Sequence, residues 1–335
     1  MPSDRVLRTA APLPHELPRI QLARELQGDG IEFGPGCHPL WLSRLVTRVR
    51  YCDRFDKQTF AALFPELAEH IAGFPATIDF PIDFEREDFD RAIGESSVDF
   101  AVASHVIEHL VNPLLFLTRV HRLLKPGGVF YLAIPDKRAS FDRDRRRTPL
   151  SELIGRYDRG DSELTDEMIT RFLNDAEQPE TPITPETPGY HARIADCRRR
   201  SIHTNVWLAD DLIEILEHLG RALNSPFEIV DGLATDIEFI LILRQTTESG
   251  VIDRYPTVLG RIWLDSIRHA QERYSDTKFA KMEELIIGAH HQLMVLDERA
   301  RETQSFVKNI KGVLDRLPIA GPFSRWVSRK NNKRS

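Results

Sequence analysis

Residues 97–136 read SVDFAVASHVIEHLVNPLLFLTRVHRLLKPGGVFYLAIPD, in which apolar runs flank a segment with helical spacing. The apolar run at 98–103 predicts a buried strand. Residues 113–124 carry apolar side chains at helical spacing, with a proline suited to the first turn, which predicts an amphipathic helix. Lys125-Pro126-Gly127-Gly128 is a turn signal, and the apolar run 129–134 behind it predicts another strand. This alternation indicates a parallel sheet with crossover helices.

The same alternation continues on both sides of this stretch and predicts one α/β domain over residues 25–245. Residues 136–203 interrupt the domain as a polar insertion, whose segment QPETPITPETPG (178–189) cannot form a regular helix or a central strand. The remaining predicted elements are helices near Ile20–Leu26, Lys57–Leu67 and Leu208–Leu219, strands at 49–53, 76–79, 227–230 and 238–243, and a turn at Asp231-Gly232.

The chain outside this domain divides into an N-terminal segment at 1–24, a connecting helical segment at 246–277, a coiled coil at 278–317 and a basic tail at 318–335. The coiled coil follows from apolar positions that alternate in steps of three and four, which predicts a homo-oligomer formed through 279–317. A long helix packed back on the domain is the alternative. The seam consists of Phe279, Met282, Ile286, Ala289, Leu293, Leu296, Ala300, Thr303, Val307, Ile310, Leu314 and Leu317.

Composition narrows the class of protein. The 335 residues carry a net charge of -6, which gives no reason to expect a nucleic-acid partner. Three cysteines without metal-like spacing indicate reduced thiols. The first residues lack an apolar core, so we expect no signal peptide, and we expect no membrane span because no apolar run approaches about 20 residues. We therefore expect a cytoplasmic protein. Its basic tail could contact the inner face of the plasma membrane through anionic lipids, or could be a disordered solubilising end.

A glycine loop, Glu32-Phe33-Gly34-Pro35-Gly36, follows the first predicted strand. Gly34 and Gly36 allow unusual backbone angles and the close approach of a ligand. About 20 residues further on, Asp53 ends the second predicted strand, where a carboxylate can accept both hydroxyls of a ribose. This pair predicts a nucleoside-cofactor site, and a plain structural turn is the alternative.

Residues 97–136 also carry a family resemblance. A strand, Glu-His-Leu, an amphipathic helix, Leu-Lys-Pro-Gly-Gly and a further strand occur in the order seen in class I S-adenosylmethionine-dependent methyltransferases, and the resemblance covers about 30–245. It implies a Rossmann-like sheet of seven strands and S-adenosyl-L-methionine as cofactor. It further implies that Glu32, Gly34 and Gly36 line the methionine portion, Asp53 holds the ribose, Asp83 and Phe84 contact the adenine, and Ser104 and His105 lie beside the sulfonium.

Within that family, the chain resembles a bacterial branch associated with surface-polysaccharide synthesis. His38-Pro39 stands where the usual third glycine would be, and Pro135-Asp136-Lys137-Arg138 continues into the branch's pattern through Phe141-Asp142, Arg145 and Thr148-Pro149. The branch then has His-x-His-x-x-Trp, whereas this chain has His203-Thr204-Asn205-Val206-Trp207. Asn205 replaces the second histidine, which puts a two-histidine role in doubt.

Methyl transfer to a hydroxyl benefits from a general base. His105 is the first candidate, since it follows the strand that ends at the cofactor, and packing or helix capping is the alternative. Asp136 and His203 are further catalytic candidates. His109 could pair with His105 as a metal ligand, but no Asp or Cys completes the set, so we expect no metal and a structural role for His109.

Substrate contacts are assigned to Lys137, Arg138, Arg145 and Trp207. Arg145 belongs to a basic run, Arg143 to Arg147, that could bind a phosphate or another acidic group, or could simply be solvated. The insertion at 136–203 is expected to cover the substrate. The overall prediction is an O-methyltransferase acting on a sugar or glycan intermediate. A lipid, quinone or other small-molecule methyltransferase and a non-catalytic coiled-coil scaffold are the alternatives.

Overall fold

Six strands form one mixed sheet in the part of the chain that the computed structural model describes, namely residues 17–40, 42, 46–247, 262 and 265. In chain order the strands are β1 (Gly28–Phe33), β2 (Val46–Cys52), β3 (Val98–Ser104), β4 (Leu124–Pro135), β5 (Phe227–Ala234) and β6 (Glu238–Gln245). Their order across the sheet is β2-β1-β3-β4-β6-β5. The first four run parallel, and β6 lies antiparallel to both β4 and β5.

Eight α-helices accompany the sheet among the described residues. They are α1 (Leu17–Ala23), α2 (Lys57–Leu63), α3 (Phe89–Ile93), α4 (Pro113–Leu123), α5 (Leu150–Arg159), α6 (Asp166–Glu177), α7 (Tyr190–Arg200) and α8 (Ala209–Ala222). Three 3₁₀ segments cover Pro65–Gly73, Ile107–His109 and Lys137–Ala139. None of these helices combines the length and the apolar content that a membrane span requires.

The parallel half of the sheet confirms the α/β prediction. Helix α4 starts as its proline indicated, with the Asn112 side chain accepting a hydrogen bond from the Leu115 backbone N–H. Its apolar face is buried, as is most of β3 and β4, because strands covered on both sides need continuous apolar runs. The main core therefore packs α4 and α8 against the central strands.

The seventh strand predicted at 76–79 does not form. Here one isolated bridge joins Phe80 to Cys52, and the Tyr51 N–H donates to the Asp79 carboxylate at 2.9 Å instead of to a backbone carbonyl. Pro75 and Pro81 flank the segment and supply no N–H donors. The described sheet thus has six strands.

The turn predicted at Asp231-Gly232 is also misplaced. These residues lie inside β5, where the pairing with β6 shifts between Ile229 and Asp231. A β-carbon on Gly232 would lie 2.8 Å from the Ile240 carbonyl oxygen, so the glycine permits close approach within the sheet. The predicted turn at 125–128 is a bulge in β4, since Val98 pairs with Leu124 and Phe100 with Val129.

The insertion at 136–203 is helical for much of its length. It carries α5, α6 and α7, which its polar composition did not reveal, and a small apolar cluster of its own. The proline-rich segment 178–189 contains no regular helix or strand, as predicted. The coiled coil, the basic tail and almost all of the connecting segment 246–277 lie outside the described residues.

Candidate active site

Three predicted cofactor residues meet at the carboxyl edge of the parallel strands. Phe33 pairs with Cys52 on one side and with Ala103 on the other, so Gly34, Asp53 and Ser104 follow at neighbouring positions. The Gly34 N–H donates to the Cys52 carbonyl at 2.9 Å, which joins the glycine loop to the end of β2. Ligands bind at this edge in open parallel sheets.

The glycine loop has the backbone that the sequence predicted. Gly34 and Gly36 have φ angles of 57° and 49°, which favour glycine. A β-carbon on Gly34 would lie 3.0 Å from the Val106 side chain, whereas nothing lies within 4 Å of a β-carbon on Gly36. Glu32, 2% exposed, accepts a hydrogen bond from the Leu40 N–H at 2.9 Å and thereby ties the end of the loop to β1.

Asp53 is a buried carboxylate immediately after β2. Burial raises its pKa to about 6, although hydrogen bonds from the Phe55 and Arg54 backbone and the charge of Arg54 act against the shift. One carboxylate oxygen accepts from the Phe55 N–H at 3.0 Å. The group is therefore fixed in orientation at the edge where a ribose would bind.

The predicted adenine residues lie in a turn after the Phe80 bridge. Phe84 packs edge-on against Phe33, with ring centroids 5.8 Å apart, and thus belongs to the aromatic part of the core beneath the glycine loop. Asp83 donates its N–H to Glu87 and accepts from the Glu85 N–H. The adenine contact of Asp83 and Phe84 stays a prediction.

His105 follows β3 with a φ of 55°, a conformation unusual for a residue with a β-carbon. Its Nε2 lies 2.7 Å from a Glu238 oxygen, and the Arg19 guanidinium binds the same carboxylate through contacts of 2.6 and 2.5 Å. Burial alone would lower the pKa of His105, but the Glu238 hydrogen bond and the negative charges of Glu108 and Glu238 raise it overall. The side chain is 34% exposed, so the ring remains within reach of a ligand.

A second group of titratable side chains, which we call the Glu108 cluster, comprises Glu108, His109 and His203. Glu108 is 2% exposed, and one of its oxygens lies 3.9 Å from His109 Nε2. The rings of His109 and His203 meet edge to face with centroids 4.7 Å apart. Burial and the nearby His203 lower the pKa of His109 to about 3, and burial raises that of Glu108. The structure therefore brings the catalytic candidate His203 close to the loop that carries His105.

The Asp136 side chain stabilises the loop in which it lies. It caps the 3₁₀ turn Lys137–Ala139 by accepting from the Arg138 N–H, and the Arg138 guanidinium binds the same carboxylate at 2.6 Å. Lys137 donates to the Arg143 carbonyl, and burial lowers its pKa. These contacts hold Asp136, Lys137 and Arg138 together, but they bring none of the three to His105.

Arg145 and Trp207, both predicted to contact substrate, are buried. Arg145 is 7% exposed and pairs with Asp142 at 2.6 Å, while its guanidinium lies over the Phe172 ring. Trp207 is 1% exposed and belongs to the main core, which favours a packing role over substrate contact. Arg147 pairs with Asp210 and Asp211, whereas Arg143 and Arg146 are exposed, so the basic run is partly paired and partly solvated.

Asn205, which replaces the second histidine of the resembled branch, is a buried structural residue. Its amide donates to the Leu110 carbonyl at 2.6 Å, and its oxygen accepts from Arg156 at 2.9 Å. It thereby connects the 3₁₀ turn Ile107–His109, helix α5 and the segment leading to α8. His109 also has a structural contact, since its Nδ1 lies 3.1 Å from the Ile202 carbonyl oxygen.

Sequence reasoning missed three charged residues of this site. Glu108 stands within the Glu-His-Leu motif, but the motif alone did not reveal that its carboxylate points inward. Glu238 begins β6 and Arg19 lies on α1, 219 residues apart in the chain. The sequence contained one signal, which was the position of Glu238 at the start of a mostly apolar strand. A glutamate is seldom buried without a partner.

The carboxyl edge fits S-adenosyl-L-methionine by its own features. Gly36 leaves open space where a side chain would stand, and Asp53 offers a buried acceptor for ribose hydroxyls on the next strand. Glu32, Gly34 and Gly36 would hold the amino-acid portion of the cofactor, with Asp53 at its ribose. The bound cofactor supplies an activated methyl group.

Comparison with known proteins agrees with a cofactor site at the carboxyl edge of the sheet. A family model described as a methyltransferase domain matches residues 6–223, which is well over half of the chain. No curated protein matches.

Three solved structures are similar to part of this chain. The Burkholderia thailandensis 1,6-didemethyltoxoflavin-N1-methyltransferase, with bound 1,6-didemethyltoxoflavin and S-adenosylhomocysteine, is 14% identical (70% of this chain, 79% of that chain, TM-score 0.37). A SAM-dependent methyltransferase from Aquifex aeolicus is 12% identical (70% and 94%, TM-score 0.37). A possible histamine N-methyltransferase from Thermotoga maritima is 15% identical (69% and 88%, TM-score 0.34).

Likeness at this level carries no conclusion about substrate. The family match shows the class of protein, and it agrees with the glycine loop, the Asp53 position and the six-stranded sheet. The chain belongs to the methyltransferase-domain family, and it is a methyltransferase whose cofactor is S-adenosyl-L-methionine.

Proposed function

We propose that the protein methylates a hydroxyl group of a sugar or glycan intermediate in cell-surface polysaccharide synthesis, with His105 as the general base. The observation that carries the proposal is the Arg19–Glu238–His105 chain of contacts at the end of β3. It holds an imidazole at the edge where the cofactor residues meet.

The Glu238 carboxylate fixes the tautomer of His105. A carboxylate accepts hydrogen bonds, so Nε2 carries the proton and Nδ1 keeps a lone pair. The arrangement matches the general logic of a histidine base oriented by a buried acid. Burial acts to raise the pKa of Glu238, but the His105 and Arg19 contacts outweigh it and lower the pKa overall, which favours the ionised carboxylate.

The charge around His105 suits a hydroxyl acceptor. Deprotonation of the hydroxyl makes His105 an imidazolium, which the negative charges of Glu238 and Glu108 stabilise. Alignment of the hydroxyl with the methyl group is the other contribution expected from the protein. The sugar class rests on the resemblance of the Pro135–Arg138 region to the polysaccharide-associated branch and on the polar, helical insertion at 136–203.

Acceptor identification tests this function. The full-length protein is incubated with S-adenosylmethionine labelled in the methyl group and with separated glycan and lipid fractions of cells. We expect base-stable label in the glycan fraction and none after His105→Asn. Label in the lipid fraction alone would support the lipid or quinone alternative.

A binding measurement addresses the scaffold alternative. Calorimetric titration with S-adenosylhomocysteine should give heat for the unaltered protein and much less for Asp53→Ala. If the product gives no heat, and Asp53→Ala changes nothing, the enzyme assignment fails and the scaffold remains.

A further inference from the structure

Glu108 is a buried carboxylate whose oxygens accept no hydrogen bond from another residue in the part of the chain that the structure describes. Its side chain is 2% exposed, and neither oxygen is hydrogen-bonded to another described residue. A buried acid normally has a partner, because loss of hydration is costly. The nearest side-chain nitrogens given for Glu108 belong to imidazoles, with His105 Nδ1 at 3.7 Å and His109 Nε2 at 3.9 Å from Oε1, both beyond hydrogen-bond distance.

Both histidines of the Glu108 cluster contact an acceptor oxygen through Nδ1. His109 Nδ1 lies 3.1 Å from the Ile202 carbonyl oxygen, and His203 Nδ1 lies 2.7 Å from an Asp142 oxygen. An acceptor at Nδ1 places the ring proton there and leaves the lone pair on Nε2. Histidines that bind metals in proteins are oriented by carboxylate or carbonyl groups in this way.

Asp142 is itself fixed, which strengthens this arrangement. Arg145 binds its other oxygen at 2.6 Å, and both side chains are buried. Phe141 packs on the free face of the His203 ring, with centroids 4.7 Å apart. The ring of His203 therefore has a defined orientation beside His109.

We propose that Glu108, His109 and His203 bind one divalent transition-metal ion of the zinc type. One ligand atom from each residue lies within 4.8 Å of the others. Tetrahedral bonds of about 2.1 Å place ligand atoms about 3.4 Å apart, so the side chains need to close by roughly an ångström. Two imidazoles with one carboxylate favour zinc, iron, cobalt or nickel over magnesium or calcium, which prefer oxygen ligands.

This site was not predicted from the sequence, which paired His109 with His105 on one helical face. The structure places a 3₁₀ turn there instead, and the missing ligand comes from His203, 94 positions after His109 in the printed sequence. Three protein ligands leave one position on the ion for water or another oxygen ligand. If the proposed function holds, an acceptor hydroxyl could occupy that position, but metal binding itself does not depend on methyl transfer.

Metal titration of the full-length protein tests the site. The chain is treated with a chelator, dialysed, and titrated with Co²⁺, whose visible absorption reports low coordination by imidazole and carboxylate, and with Zn²⁺ in a calorimeter. We expect one ion per chain. Glu108→Gln and His203→Ala should each weaken Co²⁺ affinity at least about tenfold, and Asp142→Asn by about 10- to 100-fold. His191→Ala, an exposed histidine on α7, serves as the matched control and should bind like the unaltered protein.

Thermal unfolding separates ligand loss from misfolding. Zn²⁺ should raise the melting temperature of the unaltered protein and not that of Glu108→Gln. Without metal, Glu108→Gln should melt at or above the unaltered protein, because it removes a buried charge. Unchanged Co²⁺ affinity in Glu108→Gln, or no Co²⁺ or Zn²⁺ binding by the unaltered protein, overturns the proposal. Neither readout requires an acceptor or a cofactor, so its failure is distinct from failure of the proposed function.

Discussion

Asp53 combines a functional position with an unfavourable environment. It is 7% exposed, and burial raises its pKa to about 6. Cofactor binding needs the ionised carboxylate as an acceptor for the ribose hydroxyls. The folded protein without cofactor therefore carries a destabilising charge at neutral pH, in line with the strain that functional sites commonly hold.

Asp53→Asn should stabilise the cofactor-free protein. The folded pKa lies above the unfolded value near 3.9, so the destabilisation grows as pH rises from about 4 and is complete above about 6. At about 1.4 kcal/mol per pKa unit, we expect a gain of about 3 kcal/mol at pH 8 that is nearly gone at pH 4. Urea unfolding at the two pH values measures it. Asp158→Asn, at an exposed position on α5, is the control.

Asp53→Asn should weaken cofactor binding, although it should stabilise the cofactor-free protein. The affinity of the unaltered protein for S-adenosylhomocysteine is expected to fall as pH drops below about 6, because Asp53 becomes protonated. Asp53→Asn should bind at least about tenfold more weakly at pH 8, since a charged acceptor contributes about 1.5–3 kcal/mol. An affinity that is independent of pH between 5 and 8 would contradict the assignment of Asp53 to the ribose.

Substitution of His105 by asparagine tests its role as a base without straining the backbone. His105→Asn keeps a residue that tolerates the φ of 55° and removes the imidazole. We expect kcat to fall by about 10²–10⁴-fold with the identified acceptor. S-adenosylhomocysteine binding and the melting temperature serve as checks on folding. Turnover within a few-fold of the unaltered protein would show that His105 is not the base.

Elements were predictable where the signal was local. The apolar runs of β3 and β4, the proline at the start of α4 and the glycine loop all lie within short stretches, and the structure confirms each. Helices α5 to α7 escaped detection because their apolar faces are narrow. Helix α6, for example, buries only Ile169 and Leu173, one helical turn apart. Residues 76–79 failed as a strand because flanking prolines limit the backbone donors.

Asn205 tests how the elements around the site are joined. It lies at 1% exposure between the 3₁₀ turn Ile107–His109 and α5, and its oxygen is a partner of the buried Arg156 guanidinium. Asn205→Ala removes one hydrogen-bond acceptor of the Arg156 guanidinium and opens a small cavity. We therefore expect a loss of about 3 kcal/mol in the free energy of unfolding. Chemical denaturation measures it, with Gln58→Ala on the exposed face of α2 as the control. A loss under about 1 kcal/mol would mean that the amide contributes little.

At the scale of the whole molecule, the cofactor edge could be predicted and the catalytic surroundings could not. Gly34, Asp53 and Ser104 follow neighbouring strands, so sheet topology alone brings them together. Glu238 on β6 contacts His105 from 133 positions away in the chain, and Arg19 on α1 in turn binds Glu238. Neither periodicity nor a motif reports contacts across such separations. The same holds for the pairing of Glu108 and His109 with His203.

The heptad pattern in the C-terminal part of the chain predicts self-association. Eleven apolar residues and Thr303, from Phe279 to Leu317, alternate in steps of three and four, and such a seam exposed on a lone helix would favour pairing with other copies. Light scattering of the full chain should therefore give a multiple of the 38.5 kDa monomer mass. Replacing Ile286 and Leu293 together by aspartate places charges in the seam and should yield a monomer, as should removal of 278–335. Glu302→Gln lies outside the seam and should keep the oligomer, whereas an unchanged mass for the double variant would favour a helix packed back on its own domain.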